Sequence, residues 1–124
     1  MQVKSFLKYN WPSILWAAFI LCLCLAPARH LPRINIPSFD KIVHFTFYFT
    51  LVLLMNWGWL KQQSFRSLHK NAWLKIFIIA CAYGFTIEIM QETLTTDRHF
   101  ELLDEAANAC GAAVGSLVWV KILK

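Results

Sequence analysis

The sequence predicts an all-α protein: an integral membrane bundle of four transmembrane helices, one domain over residues 1–124. Three observations carry this reading. Hydrophobic residues make up 58% of the chain and charged residues only 15%, against the ~25% charged of a typical soluble domain. The mean hydropathy is +0.49. The apolar residues gather in four segments, about 11–28, 42–60, 72–91 and 102–123, each near the ~20 residues a helix needs to cross a bilayer.

The first span follows Lys4 and Lys8 and runs to Pro27. Ala26-Pro27-Ala28 has the small-residue spacing of a signal-peptide cleavage site, but the proline and the spanning length favour an uncleaved helix. The connection after it, about 29–39, holds Pro32 and Pro37, which cannot continue a helix. Asn35, Ser38 and Asp40 give it turn and capping chemistry. In the second span, LVLLMNWGWL offers almost none of the polar stripe that a soluble bundle helix needs. A polar, basic connection, QQSFRSLHKN, leads to the third span, where WLKIFIIACAYGF is equally apolar. The fourth span carries Ala107-x3-Gly111-x3-Gly115, a small-residue series that lets another helix approach closely in lipid. Packing within the monomer is the expected use, ahead of a dimer face. Trp11, Trp57, Trp59, Trp73 and Trp119 lie near span ends, as an interfacial belt would. The four cysteines, Cys22, Cys24, Cys81 and Cys110, all lie in apolar segments without a paired spacing, so they read as buried thiols.

Charge orients the bundle. Lys4, Lys8, Lys61, Arg66, Lys70, Lys75, Lys121 and Lys124 fall on one side of a four-span topology, and Arg29, Arg33, Lys41 and Arg98 on the other. The positive-inside bias then expects both termini in the cytoplasm. All seven acidic residues (Asp40, Glu88, Glu92, Asp97, Glu101, Asp104 and Glu105) fall toward the outer side. The basic inner face suits anionic lipid headgroups; nothing suggests nucleic-acid binding.

Helical spacing then gathers the polar residues of the spans. His44 and Tyr48 share a face of span two, Glu88 and Gln91 a face of span three, and Asp104 and Asn108 a face of span four. All lie toward the outer ends, with Arg98 expected above them. An unpaired acid costs ~2.5–3.5 kcal/mol at a helix centre and less near an end. These groups are therefore expected to face one another or water. Glu92, Asp97 and Glu101 read as solvated loop charges and His99 as exposed. Asp40 suits the N-terminal end of span two electrostatically, and Lys41 suits either an interfacial anchor or the site. The candidate catalytic residues are His44, Glu88 and Asp104. The candidate substrate-binding residues are Arg98, Gln91, Asn108, Tyr48 and Lys41. The first three have tolerable metal-ligand types but no compact motif, so neither metal nor cofactor is expected.

Asp40-Lys41-x-x-His44-Phe45-x-x-Tyr48, Gly84-x-x-x-Glu88-x-x-Gln91, Arg98, Asp104 and Ala107-Asn108-x-x-Gly111-x-x-x-Gly115 occur in that order. The chain resembles, in these residues, the VanZ-like family of small bacterial membrane proteins. The likeness covers about 40–115, and Thr96-Asp97 stands where many relatives carry Pro, Gly or an apolar residue. The resemblance implies a four-span bundle in the bacterial cytoplasmic membrane and a link to teicoplanin resistance. Three functions fit the residues: an enzyme of envelope lipids or lipid-linked glycans, a protein that binds a phospholipid headgroup or glycopeptide, and a polar network that only ties helices together. A transporter fits less well, since the inner half shows no matching polar path.

Overall fold

The structure is a computed structural model that describes residues 2–25, 39–62, 66–94 and 102–123. The described residues form four helices and no strand: α1 (Gln2–Leu25), α2 (Phe39–Lys61), α3 (Ala72–Leu94) and α4 (Leu102–Val118). A single 3₁₀ turn, Arg66–His69, precedes α3, and one turn of π-helix, Trp119–Leu123, continues α4.

Sequence and structure differ most at α1. Hydropathy places the first span at about 11–28, but the helix already begins at Gln2. Lys4, Lys8 and Asn10 are good enough helix formers to extend it before the apolar run starts. Pro12 lies inside this helix. Nearby, Asn10 Nδ2 donates to the Phe6 carbonyl at 2.8 Å and Ser13 Oγ to the Asn10 carbonyl at 2.8 Å. The α2–α3 connection turns on Asn71, whose φ of 52° asparagine tolerates better than most residues. The Asn71 carbonyl accepts from the N–H groups of Leu74 and Lys75, both at 3.1 Å, and so starts α3.

Side-chain contacts fix the topology. Tyr9 meets Trp57 and Trp16 meets Phe47, so α1 and α2 are antiparallel. A Cβ on Gly84 would meet Asn108, so α3 and α4 cross antiparallel near their polar ends. Added methyls on Gly111 and Gly115 would meet Phe45 and Phe49 respectively, so α2 and α4 run parallel and touch backbone to backbone. The chain therefore runs up, down, up, down, and the small-residue series serves packing within the monomer.

The burial pattern is inverted relative to a soluble protein. Asn10, Ser13, His44, Asn56, Gln62, Glu88, Gln91, Asp104, Asn108 and Ser116 are buried, whereas Leu15, Ile42, Ile78, Phe85, Leu102 and Leu117 are exposed. In water this arrangement would leave large apolar patches; in lipid it is the expected one. Three helices, Lys4–Leu25, Lys41–Lys61 and Ala72–Leu94, are long and apolar enough to span a bilayer. Trp59 departs from the belt expected of it: it is buried in the core, while Trp11, Trp57 and Trp73 are exposed.

The half of the bundle away from His44, Glu88 and Asp104 also buries polar side chains. Asn56 Nδ2 donates to the Val52 carbonyl at 2.7 Å, and Gln62 Nε2 to the Trp59 carbonyl at 3.2 Å. Like those of Asn10 and Ser13, these bonds stay within one helix.

Candidate functional site

The buried face of α3 recurs every three to four residues: Ala72, Ile76, Ala80, Gly84, Ile87, Glu88 and Gln91. Small and apolar residues hold the N-terminal part of that face, and Glu88 and Gln91 its C-terminal part. The buried face of α4 begins with Asp104 and Asn108 and passes to Gly111, Ala112, Gly115 and Ser116. Because Gly111 lets α4 touch α2, Asn108 is carried up against His44, one helical turn away.

His44 Nδ1 lies 2.9 Å from Asn108 Oδ1. The other end of that amide, Nδ2, faces Glu105 Oε2 at 3.5 Å. A carboxylate accepts only, so it takes the NH₂ side of the amide and leaves Oδ1 for the histidine. His44 therefore donates through Nδ1–H, and Nε2 is the ring nitrogen left turned toward Asp104. That nitrogen faces Asp104 Oδ2 at 3.8 Å, too far for a hydrogen bond. The other carboxylate oxygen, Oδ1, lies 2.7 Å from Lys41 Nζ, as a close charge contact and not a directed hydrogen bond.

Glu88 is fully buried and joins this pair from the third helix. One ligand-type atom from each of His44, Glu88 and Asp104 lies within 4.8 Å of the others. The expected convergence of these three side chains is present in the structure. So is the contribution of Lys41, which binds within the cluster and does more than anchor at an interface. Arg98 lies outside the described residues, as do Asp97, His99, Glu101 and the 29–38 connection. Glu92 is exposed as expected, but on the last turns of α3 and not in a loop.

Two residues sit differently from their sequence assignment. Gln91 Nε2 donates to the Cys24 carbonyl at 2.7 Å. That carbonyl belongs to the last turn of α1, where carbonyls lack partners within the helix. Gln91 thus ties the end of α1 to α3. Tyr48 is fully buried below His44, its ring 6.5 Å from that of Tyr83, and its hydroxyl has no hydrogen-bond partner. Two residues were missed by sequence reasoning. Glu105 borders the cluster through Asn108, three residues on, a spacing that could have identified it. Tyr83 donates its hydroxyl to the Ala17 carbonyl, a contact between helices that no local pattern announces.

Chemically, the cluster offers a base (the Nε2 of a histidine held in one tautomer), two carboxylates and one ammonium, all on apolar helices. Such groups can move protons, grip a polar headgroup or bind a cation.

The profile of the VanZ/LLP1 family matches residues 2–124. An uncharacterized protein of the yeast Schizosaccharomyces pombe is 28% identical over 121 residues, which cover 95% of this chain and 70% of the yeast protein. No solved structure matches. With a match that takes in all four helices, the chain belongs to the VanZ/LLP1 family.

Proposed function

We propose that this chain is a multi-pass protein of the bacterial cytoplasmic membrane whose polar cluster receives the headgroup of an envelope lipid or lipid-linked glycan at the outer face. In this reading α4 and its π turn form a fourth span, and both termini are cytoplasmic. The observation that carries it is the meeting of His44, Glu88 and Asp104 at the polar ends of three helices whose outward faces are apolar. Lys41 holds Asp104 and, with Arg98, supplies cationic groups for a phosphate or carboxylate. His44 Nε2 is the base available to such a headgroup, and acid–base chemistry on it is the corresponding activity. A yeast relative favours a ligand common to very different envelopes, such as a phospholipid or polyprenyl headgroup, over a glycopeptide alone.

The competing reading is a structural network, favoured by one observation: Gln91 spends its amide on the Cys24 carbonyl. Charge-neutral, size-matched substitutions separate the two. Glu88→Gln and Asp104→Asn keep hydrogen-bonding capacity and lose only the charge. Under the proposal both variants accumulate in the membrane yet fail to complement a deletion strain under envelope stress, glycopeptide challenge included. Arg98→Lys fails as well, because lysine lacks the bidentate fork. Full complementation by all three, at immunoblot levels equal to the unsubstituted chain, supports the structural network instead.

A further inference from the structure

We propose that His44, Glu88 and Asp104 form a binding site for one divalent cation of the Zn²⁺ or Mn²⁺ class. The inference rests on the same three side chains as the headgroup reading, but not on any lipid ligand. Their ligand-type atoms lie within 4.8 Å of one another. Around Zn²⁺, with bonds of ~2.0–2.2 Å, neighbouring tetrahedral ligands sit roughly 3.4 Å apart. His44 Nε2 and Asp104 Oδ2 are already at 3.8 Å, so side-chain rotation alone closes that pair.

The outer supports of a metal site are also present. Ligating histidines give their second ring nitrogen to an oxygen acceptor, which fixes tautomer and aim. Asn108 Oδ1 does this at 2.9 Å, leaving the Nε2 lone pair toward the carboxylates. Ligating carboxylates are themselves held, and Lys41 makes its close charge contact with Asp104 Oδ1 while Oδ2 lies 3.8 Å from His44 Nε2. The sequence named these three residues but offered no compact metal motif, since each comes from a different helix; only their packing brings the ligand atoms within 4.8 Å.

Electrostatics points the same way. Two carboxyl groups drawn together among apolar helices attract a cation placed between them, in addition to the charge contact of Lys41 with Asp104. A second observation comes from Tyr48. Its hydroxyl is fully buried and lacks a hydrogen-bond partner. Buried hydroxyls normally have a partner. Three protein ligands leave a coordination position for water or an anionic ligand, and Tyr48 lies one helical turn from His44 on the same face. One imidazole with two carboxylates suits Zn²⁺ or Mn²⁺ better than Mg²⁺ or Ca²⁺, which prefer all-oxygen shells.

The test uses the full chain in detergent, without a histidine tag and with the four cysteines replaced, so that neither tag nor thiol binds metal. After chelator treatment the protein is titrated with Zn²⁺ and Mn²⁺, and with Co²⁺ for its visible ligand-field bands. The expected result is one ion per chain with nitrogen–oxygen coordination. Binding falls at least tenfold in His44→Ala, Glu88→Gln and Asp104→Asn, and about 10–100-fold in Asn108→Leu, which loses only the histidine's outer support. His69→Gln binds as the parent does. Circular dichroism reports whether each variant folds, and the Co²⁺ spectrum of the parent tests the coordination with no triad substitution at all. An absence of bound ion in the parent overturns the metal site and leaves the headgroup reading to its own complementation test. Binding that persists in His44→Ala and Asp104→Asn also overturns it.

Discussion

His44 spends one ring nitrogen on Asn108 and presents the other to Asp104, so a single amide decides where the basic lone pair points. Tyr48, one turn along the same face, is different: its hydroxyl bonds to nothing. Removing a buried polar atom that has no partner costs little or even stabilises. Tyr48→Phe is therefore expected to shift stability by no more than about 0.5 kcal/mol in detergent melts, well below the ~1–3 kcal/mol of losing a needed buried bond. If the hydroxyl serves a ligand, the same variant loses complementation despite its intact fold. Gln91 should behave in the opposite way. Gln91→Leu strips the Cys24 carbonyl of its donor, and a loss of roughly 1–3 kcal/mol is expected. A melting temperature equal to that of the parent would show that the α1 carbonyl finds another donor.

At the scale of elements, the contact between α2 and α4 rests on two missing side chains. A methyl at Gly111 would collide with the Phe45 carbonyl, and one at Gly115 with Val52 and Phe49. Backbone cannot step aside as a flexible side chain can. Gly111→Val is expected to destabilise the bundle by ~1–3 kcal/mol or more, the usual cost of overpacking. It also moves Asn108 away from His44, so any ligand binding falls with stability. The parallel test is gel filtration with light scattering. If the series were instead a dimer face, the variant would dissociate a dimer while keeping its melting temperature. Gly58 makes a similar close approach of α2 to α1, against Tyr9 and Asn10.

For the whole molecule, among the described residues, large apolar side chains cover the outside, buried polar ones lie within an otherwise apolar core, and Glu88, Glu92, Asp104 and Glu105 gather at one end. The exposed Trp11, Trp57 and Trp73 and the basic Lys8, Lys61, Lys70 and Lys75 mark the other end. Positive residues resist translocation, so that end is expected in the cytoplasm and the polar cluster outside. Single cysteines at Asn35 and at Ser67, in a chain with Cys22, Cys24, Cys81 and Cys110 replaced, test this in intact cells. An impermeant maleimide is expected to label position 35 and spare position 67. The reverse pattern would turn the cluster toward the cytoplasm and rule out an extracellular ligand.

Composition and hydropathy by themselves determined that the chain is helical and suited to a membrane, and placed α2 and α3 within a few residues of their ends. Spacing determined which polar residues share a helix face, since 3.6 residues per turn is a local property. The start of α1 was not legible, because hydropathy marks the apolar stretch while hydrogen bonding sets the helix. The contacts of Lys41, Gln91 and Tyr83 were decided only by tertiary structure. Each depends on which helix lies opposite and at what depth. Gly111 and Gly115 settle the depth of α4 against α2 by letting two backbones touch, and that register brings Asn108 to His44; the close approach of α3 to α4 at Gly84 accompanies the meeting of Asp104 and Glu88. Convergence within 4.8 Å is a property of three helices packed together, and no one of them encodes it alone.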